Sequence, residues 1–244
     1  MCHSTDSRAP GPPDPGEVAE HGPLELESAD GTRFSAYRAV PAERRRGNVI
    51  LLPDVRGLHP FYEDLTQRFA EAGYTAIAID YFGRTAGTGA REDGFEYMPH
   101  VNQVRPENVT ADVAAAAAHL REQNDAPTFT VGFCFGGSQS WRQSAADFGL
   151  AGCIGFYGRI ERFADVIEQM RAPLLLLVAG ADAATPVQEY HKLAERFDGL
   201  GAPPYEMHIY DGAPHSFFDR SFAEWQEACA DAWRRILAFT DRLS

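Results

Sequence analysis

The sequence Gly132-Phe133-Cys134-Phe135-Gly136-Gly137 lies between a predicted strand and a predicted helix. It matches the G-x-nucleophile-x-G pattern of a sharp strand-to-helix turn, with cysteine as the nucleophile. Such a turn holds its central residue in strained backbone, and a side chain two residues to either side would collide with neighbouring backbone. A helix beginning after Cys134 directs its first N–H groups at the sulfur, which favours the thiolate and makes the Phe135 N–H an oxyanion donor. Because cysteine is also a common small buried residue, the pattern alone equally fits a packing role.

Apolar segments on both sides of this turn are continuous rather than alternating. Such short runs are typical of strands that are covered on both faces of a sheet. They alternate with segments of helical periodicity, which predicts a parallel sheet with right-handed crossover connections. The predicted strands are 48–52, 74–79, 128–131, 152–157, 173–179 and 204–210, and the predicted helices are 61–72, 110–122, 186–197 and 222–243.

The start of the chain has a different pattern. Residues 1–22 are rich in proline, glycine and charge without an apolar period, which predicts a flexible leader, either disordered or loosely docked. Two strand-like segments then flank Asp30-Gly31, a dipeptide typical of two-residue hairpin turns. With this antiparallel hairpin the count is about eight strands. We therefore expect one α/β domain over residues 23–244, with a mostly parallel sheet and helices on both faces.

Composition excludes several classes of protein. Of the 244 residues, 44% are hydrophobic and 23% are charged, which is typical of a globular protein and excludes disorder of the whole chain. The net charge of −13 disfavours nucleic acid or an anionic membrane as a partner and favours a small molecule. No apolar run is long enough for a membrane span and no signal-peptide pattern is present, so a cytoplasmic protein is expected, as a monomer or small homo-oligomer.

The cysteines show no disulfide or metal-binding pattern. Four are present, none in Cys-x-x-Cys spacing, and we expect reduced thiols: Cys2, Cys134, Cys153 and Cys229. Cys2 and His3 are adjacent, but no second cluster at ligand spacing completes a metal site with them. The sequence therefore predicts neither a metal nor another cofactor.

Two further residues complete a catalytic arrangement. In folds with this type of turn, an acid follows the seventh strand and a histidine follows the eighth, in the chain order nucleophile, acid, base. Asp182 directly follows the run 173–179, and His215 follows the run that ends at Tyr210. Chain order and strand count therefore predict a triad of Cys134, His215 and Asp182. The alternatives are a plain loop histidine and, for Asp182, a cap of the helix that follows.

Four segments together resemble the dienelactone hydrolase family, the cysteine-dependent branch of the α/β-hydrolase fold. The resemblance extends from residue 23 to the C-terminus and rests on residues 80–84, 132–137, 180–186 and 212–217. It implies Cys134, Asp182 and His215 as nucleophile, acid and base. It also implies that Arg84 binds a substrate carboxylate, with a second such arginine at Arg220, one residue out of step with the family pattern. The alternatives are a surface ion pair for Arg84 and a solvated helix-start arginine for Arg220.

The segment Pro53-Asp54-Val55-Arg56-Gly57 follows the third predicted strand, where this fold takes its other oxyanion N–H. Val55 is the expected donor. Family members often have a glutamate and an aromatic residue here, so Asp54 and Arg56 are candidates for altered substrate contacts. Asp54 could instead brace the loop. The long non-periodic segment 85–106 is interpreted as a partial lid, or alternatively as a surface excursion.

A thiol nucleophile restricts the substrates that can react. The tetrahedral intermediate expels the better leaving group, and a thiol of pKa ~8.5 leaves before an alkoxide whose acid is near the ~15.7 of water. Enolates, phenolates and thiolates leave readily enough to compete. The sequence therefore predicts hydrolysis of activated carboxylic esters, most specifically carboxylate-bearing enol-lactones. A broad esterase or thioesterase, and a non-catalytic binding or redox-sensing protein, are the alternatives.

Overall fold

A single eight-stranded sheet organises the chain. The computed structural model describes residues 3–4, 6–43, 46–91, 94–201 and 203–244, so Cys2 lies outside the described residues. The strands are β1 (Val18–Glu27), β2 (Arg33–Pro41), β3 (Asn48–Leu52), β4 (Thr75–Ile79), β5 (Thr128–Phe133), β6 (Gly152–Phe156), β7 (Leu174–Ala179) and β8 (Tyr205–Tyr210).

The strand order explains the apolar runs of the sequence. The order is β1-β2-β4-β3-β5-β6-β7-β8. Strand β2 runs antiparallel to both β1 and β4, and the other neighbouring pairs are parallel. Every residue of β3 to β7 is buried, as expected for strands covered on both faces. The predicted α/β-hydrolase architecture, with its N-terminal antiparallel hairpin, is confirmed.

Helices cover both faces of the sheet. The α-helices are α1 (Pro60–Glu71), α2 (Gly83–Ala86), α3 (Met98–Val101), α4 (Pro106–Gln123), α5 (Phe135–Arg142), α6 (Val187–Leu200) and α7 (Gln226–Arg242). Val49 and Leu51 of β3 pack on the side of α1 and α7, whereas Ile50 and Leu52 pack on the side of α4. This alternation follows from the two-residue period of a strand. The helix α6 packs on the same side as α4, farther along the sheet.

The N-terminal region differs from the expectation in two respects. Strand β1 begins at Val18, earlier than predicted, and includes Pro23, which an edge strand tolerates because its outer N–H groups need no partner. The described residues before it lie against the domain. Ala9 is fully buried in the core, and the Gly16 N–H donates to the Glu71 carbonyl oxygen at 2.7 Å. The described residues of the expected leader therefore contribute to the packing.

The turn between β1 and β2 is longer than predicted. The Ser28 N–H donates to the Thr32 carbonyl oxygen at 2.9 Å, which leaves residues 29–31 as a three-residue loop rather than a two-residue turn. Gly31 has φ +80°, the left-handed conformation that such a loop needs at its last position. None of the helices in the described part of the chain has the length and apolarity needed to cross a bilayer.

Candidate active site

Cys134 occupies the strained turn between β5 and α5. Its backbone has φ 56° and ψ −111°, a conformation that non-glycine residues adopt only when the surroundings enforce it. A Cβ atom at Gly132 would overlap the carbonyl oxygen of Gly136, and one at Gly136 would overlap that of Leu52. The two glycines therefore allow the close approach of β3, β5 and α5 that creates the turn.

The surroundings of Cys134 differ from those of the other described cysteines. Its N–H donates to the Phe156 carbonyl oxygen at 3.0 Å, which fixes the turn beside the end of β6. Cys134 is partly exposed, whereas Cys153 and Cys229 are buried. Burial raises the pKa of each buried thiol to about 12, so both are poor nucleophiles at neutral pH.

The structure brings His215 and Asp182 together. The two side chains share a hydrogen bond of 2.6 Å between Nδ1 of His215 and Oδ2 of Asp182. The other carboxylate oxygen of Asp182 accepts the Ala184 N–H at 2.8 Å, which orients the carboxylate. The two loops are also joined through their backbones, since the Ala181 N–H donates to the Ala213 carbonyl oxygen at 2.9 Å. Asp182 is 6% exposed, and its geometry is that of a histidine partner rather than a helix cap.

Tyr157 connects this pair to the cysteine. Its ring centre lies 4.8 Å from that of His215, and it directly follows Phe156, which accepts the Cys134 N–H. Tyr157 also has a positive φ of 37°, so a second strained residue lies at the same point of the sheet edge. The loops after β5, β6, β7 and β8 therefore converge near Cys134.

The two predicted oxyanion donors lie at the start of α5 and in the turn after β3. Phe135 is the first residue of α5, where helical N–H groups have no partner within the helix. Val55 lies in the turn after β3. Neither N–H donates to another group among the described residues. Both groups are available to a substrate oxygen.

The model of the dienelactone hydrolase family matches residues 34–244. The chain belongs to this family. A carboxymethylenebutenolidase from Pseudomonas putida is 25% identical over 206 residues, which cover 80% of this chain and 84% of that protein. A protein from Methylorubrum extorquens assigned as a carboxymethylenebutenolidase is 26% identical over 230 residues, covering 88% and 78%.

A solved structure supports the same assignment. A crystal structure of a protein from Klebsiella pneumoniae subsp. pneumoniae, assigned as a dienelactone hydrolase, matches with a TM-score of 0.77 at 26% identity. The match covers 91% of this chain and 99% of that chain. Family membership confirms the predicted class of enzyme, a carboxylic ester hydrolase.

Asp54 braces its own loop. It is fully buried, and its Oδ1 accepts the Arg56 N–H at 2.8 Å, while Nη2 of Arg56 donates to Oδ2 at 3.2 Å. Nε2 of His59 lies 3.6 Å from the same Oδ2. Burial alone would raise the pKa of Asp54, but His59, Arg56 and His3 outweigh it and lower that pKa. The loop-bracing alternative therefore describes the observed contacts.

Arg84 is engaged by two carboxylates. Its Nε and Nη2 donate to Asp30 at 3.0 and 3.2 Å, and its Nη1 donates to both oxygens of Asp112 at 2.8 and 2.9 Å. Asp112 is 1% exposed, so Arg84 neutralises a buried charge. The geometry favours the ion-pair alternative for Arg84 over a contact with substrate.

A cavity of about 710 Å³ lies near the loop that carries Asp54. Its wall includes four arginines, of which sequence reasoning singled out Arg56 and Arg220 and did not consider Arg8 and Arg91. Arg220 is exposed and makes no ion pair with any described residue, whereas Arg91 is held by Asp80 at 2.7 Å. No member of the predicted triad lines this cavity.

The segment 85–106 supplies part of the cavity wall. Arg91, Phe95 and Tyr97 line the cavity, and the guanidinium of Arg91 lies 5.0 Å from the Phe95 ring centre. Because Phe95 and Tyr97 also pack against the core on the α4 side, this segment is anchored to the domain. The described part of this segment bounds the cavity on one side, and the partial lid stays a prediction.

Arg162 is a further charged residue that sequence reasoning missed. Its guanidinium lies 5.0 Å from the ring centre of Phe135, the residue directly after Cys134. It makes no ion pair among the described residues. Arg162 belongs to a short turn after β6 that has no periodic pattern, so its place beside α5 follows from the fold and not from its own neighbours in sequence.

Proposed function

We propose that the protein hydrolyses activated carboxylic esters through a thioester intermediate on Cys134. His215 accepts the thiol proton, and the thiolate attacks the ester carbonyl. The N–H groups of Val55 and Phe135 stabilise the oxyanion. The leaving group departs with a proton from His215, which then activates a water molecule to hydrolyse the thioester.

The hydrogen bond between His215 and Asp182 carries this proposal. Because Nδ1 donates to the carboxylate, Nε2 of His215 remains as the proton acceptor for the thiol. The carboxylate stabilises the imidazolium that forms when the proton is transferred. A loop histidine without catalytic role would not require a buried aspartate, or a backbone connection between the two loops, to set its orientation.

The proposed substrates have good leaving groups and carry an anion. With an ordinary alkyl ester, the tetrahedral intermediate expels the thiolate and reverts to the substrate. With an enol or phenyl ester, it expels the enolate or phenolate in preference to sulfur. Arg56 and Arg220 line the cavity and were also candidates from the sequence. Arg56 is paired with Asp54, so Arg220, which makes no ion pair with any described residue, supplies the positive charge for a substrate anion. A guanidinium binds a carboxylate through two parallel hydrogen bonds. Carboxylate-bearing enol-lactones combine both properties.

Turnover of p-nitrophenyl acetate by the purified protein tests the chemistry. We expect Cys134→Ala to lower kcat/KM by roughly 10³-fold or more, because the covalent route is lost. Cys153→Ala is the matched control, since it removes a buried thiol and leaves the nucleophile in place. Mass spectrometry of the quenched wild-type protein should find an acetyl group on Cys134. Wild-type turnover in Cys134→Ala would contradict the proposal.

A substrate panel then tests the specificity. A carboxylate-bearing enol-lactone is compared with neutral activated esters of similar size. Preference for the anionic lactone supports the narrow assignment. Equal turnover of all activated esters would instead support a broad esterase on the same scaffold.

A further inference from the structure

The first residues of the chain are attached to the loop that carries His215. The Arg8 N–H donates to Oδ1 of Asp219 at 3.0 Å, and the Arg220 N–H donates to the Arg8 carbonyl oxygen at 3.1 Å. The hydroxyl of Ser221 donates to the Asp6 carbonyl oxygen at 3.0 Å. Residues 6–8 thus run beside residues 219–221, a few positions after His215.

The same segment is fixed on its other side by the core. Nε1 of Trp233 donates to the Pro10 carbonyl oxygen at 3.0 Å, and the Ala9 N–H donates to Oδ2 of Asp64 at 3.3 Å. Ala9 is fully buried. Residues 3–4 precede this anchored part, and the contacts place them between α1 and the loop that carries His215.

His3 lies between a residue of the cavity wall and the side chain that packs against His215. Its ring stacks on Phe61 with ring centres 4.0 Å apart, and Phe61 lines the cavity. Its Nε2 lies 3.4 Å from the hydroxyl of Tyr157, whose ring lies against His215. His3 is 2% exposed. A continuous row of side chains therefore runs from the cavity wall through His3 to the proposed base.

We propose that His3 is a specificity-determining residue whose ring narrows the passage between the arginine-lined cavity and Cys134–His215 and thereby limits the size of the esters that react. This inference rests on the proposed hydrolase function. With His3 in place, only a short acyl group fits with its carboxylate directed toward the arginines. Removing the ring widens the passage, so that a longer acyl chain ending in a carboxylate is also accepted.

The test compares His3→Ala with His3→Phe in the full chain. Phenylalanine keeps the ring that stacks on Phe61, so it should retain the wild-type size limit. The exposed His191 on α6 provides the control substitution, His191→Ala. The substrates are p-nitrophenyl acetate and the mono-p-nitrophenyl ester of adipic acid, which share a leaving group and differ in acyl length and charge.

We expect His3→Ala to raise the ratio of kcat/KM for the adipate ester over the acetate ester by about 10-fold, the scale of one lost packing contact. His3→Phe and His191→Ala should leave this ratio at the wild-type value. An unchanged ratio in His3→Ala, or an equal fall for both esters, would assign His3 a purely structural role and overturn the inference.

A second readout separates this inference from the proposed function. The rates at which Cys134 reacts with iodoacetamide and with the much larger fluorescein-5-maleimide are measured by peptide mass spectrometry. His3→Ala should accelerate the large reagent relative to the small one, whether or not the protein hydrolyses esters. An unchanged ratio of alkylation rates would overturn the inference even if Cys134-dependent hydrolysis is found.

Discussion

The turn around Cys134 and the arginines Arg84 and Arg220 lie at the same edge of the sheet, but different interactions fix their geometry. Around Cys134 the geometry comes from the backbone, because Gly132 and Gly136 leave no room for a Cβ and force the strained turn. The positions of the arginines depend on side-chain ion pairs. Asp30 and Asp112 hold Arg84, whereas Arg220 is left exposed at the cavity. Substitutions in the first region should therefore affect the chemistry, and those in the second should affect selectivity or stability.

The largest effect on activity is expected for His215 and Asp182, the proposed base and its acidic partner. His215→Ala should lower kcat/KM for p-nitrophenyl acetate by roughly 10³-fold or more, because the proposed acceptor of the thiol proton is removed. The double variant Asp182→Asn/His215→Ala should lose little beyond that, since the aspartate acts through the histidine. Wild type, the two single variants and the double variant together form a double-mutant cycle. Additive losses of kcat/KM in this cycle would show that the two residues act independently.

A contrast almost as large is expected between the cysteines. Iodoacetamide should label Cys134 roughly 10³-fold faster than Cys153 and Cys229, because it is partly exposed while burial raises the pKa of the other two thiols to about 12. Peptide mass spectrometry at neutral pH measures the three rates. Equal labelling in the folded protein would mean that the strained turn does not present the sulfur to solvent.

The two arginines expected to bind a carboxylate should behave differently. Arg220→Met should lower kcat/KM for mono-p-nitrophenyl succinate by ~10- to 150-fold and change that for p-nitrophenyl butyrate little, because a charge-assisted hydrogen bond contributes roughly 1.5–3 kcal/mol. Arg84→Met should instead lower the free energy of unfolding by about 3–5 kcal/mol, because Asp112 is left buried without its partner.

Arg84→Lys and Arg220→Lys are the matched controls for this pair. Lysine keeps the charge but cannot form two parallel hydrogen bonds, so each should restore only part of what methionine removes. A selective loss on the succinate ester in Arg84→Met, with an unchanged unfolding midpoint, would return the carboxylate-binding role to Arg84.

The smallest effect concerns the pH dependence of His3. Burial lowers its pKa from 6.5 to about 4, and the neighbouring acids Asp54 and Asp219 raise it too little to compensate, while His59 and Arg56 lower it further. Between these pH values the unfolded chain binds more protons than the folded chain. Stability from the neutral ring is therefore complete above about pH 6.5 and falls as the pH approaches 4.

This dependence amounts to roughly 2 kcal/mol between about pH 7.5 and pH 5, from 1.36 kcal/mol for each pH unit. Denaturant unfolding of wild type and His3→Phe at both pH values measures it. The difference between the two proteins should change by that amount in favour of His3→Phe at the lower pH. A constant difference would show that His3 does not remain buried in solution.

Prediction from the sequence succeeded where backbone constraints are local. The glycines around Cys134 are required by the turn itself, and strand count places Asp182 and His215 after β7 and β8, where they meet. The hairpin loop was one residue longer than predicted, because Asp30-Gly31 is compatible with more than one loop length. The proline in β1 hid the early start of that strand, since only an edge position tolerates it.

The sequence by itself determined the strand-helix order, the strained cysteine turn and the chain order of the three proposed catalytic residues, because each depends on residues that are close in sequence or on a count of strands. Only the tertiary structure decided which arginines face the cavity and that His3 reaches Tyr157. The physical reason is that the partner of a long charged side chain is chosen among residues distant in sequence. Asp112 and Asp30 hold Arg84, and no local pattern around Arg84 encodes that choice.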